Sequence, residues 1–106
     1  MKLIIQEGWY YSQRDEDAFF DRLNELPCVK SIEGAPDGLH INLKRPPSEP
    51  DLLELLALLY RYSLDMTPLA ALKTKRNARW FFQNREAYWH SKVFGRAKRR
   101  RRRVTR

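Results

Sequence analysis

The residues best equipped for chemistry sit at the C-terminal end. Arg96, Lys98, Arg99, Arg100, Arg101, Arg102, Arg103 and Arg106 put eight cations into eleven positions, with no acid or aromatic among them. Each guanidinium can pair bidentately with a phosphate, and a cluster gains affinity by releasing counterions. That is the chemistry of binding DNA, RNA or an anionic membrane surface, with little sequence preference. Lys73, Lys75, Arg76 and Arg79, with Arg85 and Lys92, carry the charge back into the preceding segment. Trp80, Phe81, Tyr88 and Trp89 are interleaved there and have faces on which unpaired bases can stack. Plainer alternatives stand beside this reading. The aromatics are also good core residues, and the arginine run also suits a solubilising terminus or, in a eukaryotic chain, a nuclear localisation signal.

Other site chemistry is thinly supplied. Cys28, His40 and His90 are the soft metal ligands, and no two have ligand spacing. His40 is expected on an exposed strand face, His90 on the surface near a helix end, and Cys28 in a buried junction after Pro27. There is no glycine-rich phosphate cradle and no G-x-S-x-G. Asp15, Glu16, Asp17 and Asp21 could gather a divalent ion, or could simply form a solvated helix face. A nuclease needs carboxylates converging with a Lys or His, and no spacing here imposes that. The expectation is a non-enzymatic protein without cofactor or metal.

Charge is unevenly spread along the 106 residues, whose net charge is +8. Residues 1–95 hold 13 bases and 13 acids, so the excess lies wholly in 96–106. Within the neutral part, 1–72 has 7 bases against 12 acids, whereas 73–95 has 6 against 1. This asymmetry bears on partners and solubility rather than on fold. It predicts a single domain over 1–95 and a disordered polybasic tail over 96–106. One cysteine permits no internal disulfide. The N-terminus turns polar after three apolar residues, unlike a signal peptide, and no apolar run approaches the roughly 20 residues of a membrane helix. A cytoplasmic protein without integral membrane association is expected.

The elements that must position these groups are legible from periodicity. Residues 2–6 read as a strand. Residues 15–26 read as a helix capped by Ser12 or Asp15, with Phe19, Leu23 and Leu26 facing a core and Pro27 ending it. Residues 28–33 and 38–44 flank Gly34-Ala35-Pro36-Asp37-Gly38, which predicts a hairpin. In its second strand Leu39, Ile41 and Leu43 face inward. After Pro46-Pro47, Ser48 caps a helix over 51–62 so rich in leucine that only Asp51, Glu54 and Arg61 mark a wet edge. Thr67-Pro68 opens a short helix carrying Leu69 and Leu72. Residues 78–83 read as a strand and 84–92 as a last helix. The order β-α-β-β-α-α-(β)-α predicts an α+β two-layer sandwich, a small antiparallel sheet packed against helices.

One stretch carries a family likeness. Leu55-Leu56-Ala57-Leu58-Leu59-Tyr60-Arg61-Tyr62, then Asp65-Met66, Asn77 with Trp80-Phe81, Tyr88-Trp89-His90 and Val93-Phe94-Gly95 resemble small single-domain bacterial α+β proteins of the toxin-immunity type, over roughly residues 50–95. The resemblance implies a non-catalytic protein that blocks a toxin by covering its active face. Asp15, Glu16, Asp17 and Asp21 would then suit a basic protein toxin by charge complementarity. The sequence therefore points to two functions: a nucleic-acid-associated binding protein, and an immunity or antitoxin protein.

Overall fold

The structure, a computed structural model, describes residues 1–8 and 10–95. Trp9 and the polybasic run 96–106, with the reading of that run as a disordered tail, lie outside the described residues. The chain is an α+β fold in which three antiparallel strands carry helices on one face.

Strand β1 (Lys2–Ile5) alternates exposed and buried residues, so Leu3 and Ile5 point into the core. Helix α1 (Gln13–Asn24) follows, its first turn closed by Ser12, whose side chain accepts the Asp15 N–H at 3.1 Å. Such a cap is worth about 1 kcal/mol. Strands β2 (Val29–Ala35) and β3 (Gly38–Leu43) form the expected hairpin, with Ala35 paired to Gly38 across a two-residue Pro36-Asp37 loop. Gly38 needs its hydrogen: φ is +131°, and a Cβ there would lie 2.8 Å from the Ile5 carbonyl oxygen. The strand order is β1-β3-β2, so the last strand in sequence lies in the middle. Its register sets Leu3 opposite Ile41 and Ile5 opposite Leu39. The far face carries Lys2, Ile4, His40 and Asn42, none of them buried. A sheet with one dry and one wet face is the usual antiparallel solution.

Helix α2 (Glu49–Arg61) supplies most of the other layer. Ser48 caps it by accepting the Asp51 N–H at 3.4 Å, and Leu52, Leu55, Leu56, Leu58 and Leu59 are buried in one cluster with the inner face of the sheet. Two details depart from the leucine pattern. Leu53 is exposed, while Asp51, expected on the wet edge, is buried. Asp51 sits in the first turn against Cys28, where capping has already fixed its backbone. A short 3-10 helix (Thr67–Leu72) buries Leu69 and Leu72 as expected.

The aromatic segment corrects the sequence reading. Residues 78–83 are not a strand. Ala78–Phe81 forms one helical turn, α3. Residues 84–92 are mostly linked turns rather than a helix, closed by a π turn at Ser91–Gly95. Within 78–83 only Phe81 is fully buried, with Phe82 and Gln83 exposed, so no alternating face holds a strand and the aromatic propensity is overridden. No helix among the described residues is long and apolar enough to cross a membrane.

Candidate nucleic-acid interface

The basic segment after the 3-10 helix is held by a small lock. The Asn77 side-chain oxygen accepts the Thr74 N–H at 2.8 Å, and the Thr74 hydroxyl oxygen accepts the Asn77 N–H at 3.1 Å. The Asn77 amide nitrogen also donates to the Leu72 carbonyl at 3.0 Å, tying the loop to a buried residue. Lys75 and Arg76 occupy the tip between these two residues, and both are exposed. Asx-type closure of this sort leaves the tip side chains free of backbone duties. Phe81, wholly buried, then anchors α3, and Arg79 on that turn is exposed.

A groove of about 500 Å3 opens beside the lock. One wall is Pro46-Pro47 with Ser48 and Glu49 at the start of α2; the other is Thr74, Arg76, Asn77 and Trp80, over a floor that includes Leu52 and Leu72. Trp80 is half-buried, and Trp89 meets its ring edge-on with centres 6.0 Å apart. Among the described residues Arg76 is the one cation lining this groove. Lys73 takes a different course, its ammonium lying 4.5 Å from the centre of the exposed Phe82 ring. Neither Lys73, Lys75, Arg76 nor Arg79 forms an ion pair among the described residues.

The four aromatics expected to stack on bases separate into three environments. Phe81 and Trp89 belong to the core, and the Trp89 Nε1–H has no hydrogen-bond partner among the described residues. Trp80 lines the groove. Tyr88 is half exposed but meets the Tyr60 ring 4.8 Å away, beside a second, shallower depression containing Arg22 and Arg61. Lys92 lines a third depression with Glu7, Ser63 and Asp65. The structure therefore brings Arg76 and Trp80 together and leaves Lys92 and Tyr88 elsewhere. Arg96, Lys98, Arg99, Arg100, Arg101, Arg102, Arg103 and Arg106 lie outside the described residues.

The remaining candidates are engaged locally. His40 Nε2 lies 2.6 Å from an Asp37 carboxylate oxygen across the hairpin turn, and that bond holds the Asp37 carboxyl below its usual range. His90 Nε2 donates to the Phe82 carbonyl at 2.7 Å. Cys28 is wholly buried. Burial pushes its thiol up, and the Asp51 carboxylate beside it adds to the shift. No group of three or more His, Cys, Asp or Glu side chains among the described residues could hold a metal ion. The acidic quartet is split. Asp15 and Glu16 are half-buried in the first turn of α1, whereas Asp17, bonded by Gln13 at 3.1 Å, and Asp21 are exposed. Sequence reasoning missed Pro46, Pro47 and Glu49 as groove residues. They read as a strand break and a helix start, and nothing local places them against a segment some thirty residues on.

No family model, curated protein or solved structure matches this chain.

Proposed function

We propose that this protein is a non-enzymatic, nucleic-acid-associated binding protein that holds phosphates with its basic C-terminal third. The observation carrying the reading is the exposed set Lys73, Lys75, Arg76 and Arg79, free of ion pairs among the described residues, with Arg76 and Trp80 lining one groove. Cations without protein counterions retain their full attraction for a polyanion, and an adjacent aromatic adds a sequence-tolerant contact. The eight Lys and Arg residues of 96–106 add charge of the same sign directly downstream. The test is binding of full-length protein to labelled DNA and RNA across a salt series, beside a chain ending at Gly95. The full chain binds with a steep salt slope that flattens in the shorter one. Failure to retain DNA or RNA near physiological salt overturns the reading.

A further inference from the structure

The groove contains two opposite charges that ignore each other. Arg76 and Glu49 both line it, yet no guanidinium nitrogen of Arg76 comes within 4.0 Å of the Glu49 carboxylate. Neighbouring polar groups there accept backbone hydrogen bonds. Thr74 and Asn77 satisfy one another, and the Ser48 oxygen holds the Asp51 N–H. The half-buried Trp80 ring, two prolines and two leucines line the same groove. A ligand suited to this arrangement carries an anion for Arg76, a flat apolar face for Trp80 and an N–H donor for Glu49. A nucleotide of a polynucleotide has all three, and the groove volume is in the range of small-molecule sites.

We propose, resting on the nucleic-acid reading above, that this groove seats one unpaired, amino-bearing nucleobase of a single strand. The base lies on Trp80, its exocyclic amine donates to Glu49, and the neighbouring phosphate pairs with Arg76. A duplex cannot supply this ligand, because its base faces are stacked against neighbouring pairs and cannot lie on Trp80. The carboxylate also sorts the bases. It accepts from the amine on C4 of cytosine, and it repels the carbonyl oxygen that thymine places at the same position.

The test measures anisotropy of full-length protein with oligo(dC), oligo(dT) and a hairpin duplex of equal phosphate count, at physiological salt. The expected order is oligo(dC), then oligo(dT), then duplex, with the single-strand advantage about 5- to 150-fold for one stacked base. Trp80→Ala brings single-strand affinity down towards duplex affinity. Because Trp80 also packs on Trp89, its fold is checked by circular dichroism. Glu49→Gln changes an exposed residue and reports independently of that check, with the dC-to-dT ratio falling to about one. Equal affinity for all three ligands overturns this inference and leaves charge-based nucleic-acid binding standing. A single-strand preference with dC and dT equal overturns the seating against Glu49. Absence of binding to every ligand removes the parent reading as well.

Discussion

Replacing Lys73, Lys75, Arg76 and Arg79 together by glutamine tests how many of these cations reach phosphate. All four are exposed, so the stems stay solvated and the fold should hold. For a single strand each phosphate contact contributes about 0.7 to the slope of log K against log salt. Four contacts predict a slope shallower by about 2.8, or roughly 600-fold in affinity when salt falls tenfold from the point where the two curves meet. The geometry allows finer expectations. If the Lys73 ammonium stays on the Phe82 ring, 4.5 Å from its centre, the loss drops to about 2.1. If only Arg76, in the groove, touches the backbone, it drops to about 0.7. The assay is anisotropy of a labelled oligonucleotide across a potassium chloride series, with circular dichroism to confirm the fold. An unchanged slope refutes the assignment of these residues and leaves phosphate binding to 96–106 alone.

Three further outcomes follow from the geometry. Gly8→Ala should cost about 1–3 kcal/mol in a urea titration, because the added Cβ would collide with the Ser63 carbonyl oxygen in a crossing of two backbones. A native-like midpoint would show that this crossing opens freely. Cys28, wholly buried, should react with a thiol reagent only through unfolding, so its labelling rate should rise with urea in step with loss of structure; prompt labelling in buffer refutes that burial. Asp37→Asn should weaken the hairpin at neutral pH. The Asp37 carboxyl is held low by His40, so its contribution is present above the unfolded value of about 3.9 and fades as pH falls through the lower folded one. Stability curves of the two proteins should therefore converge in acid, and a constant gap at all pH values contradicts the His40 contact.

The parts of the fold that could be read from sequence are those where one period serves one purpose. Alternation in Gly38–Leu43 and the Phe19–Leu23 spacing each describe a face buried against a single layer, so strand and helix came out close to their observed bounds. The segment 78–94 has no such period. Phe81, Trp89 and Val93 are buried at separate points along turns, while Phe82 and Tyr88 between them face water. Residue type suggested a strand over 78–83 and a helix over 84–92, but burial at isolated points goes with a single helical turn and linked turns. Asp51 misled for a related reason. A carboxylate in a leucine-rich helix reads as a solvent mark, and only the approach of Cys28, from a distant stretch of the chain, accounts for its place. At the groove, Arg76 and Trp80 were visible as types. Their opposing wall comes from a different stretch of chain, and no local pattern could bring it there.

The central position of β3 has a consequence for how this molecule comes into being. During synthesis β1 emerges first, yet the edge it must join does not exist until Asn42 and its neighbours have left the ribosome. Until then Leu3 and Ile5 belong to a nascent chain with no docking partner, and closing so long an interval is entropically slow. The hairpin, by contrast, can zip on its own through a two-residue loop. Sheet assembly should therefore finish with β1, so that the strand made before its partner is the last of the three to settle.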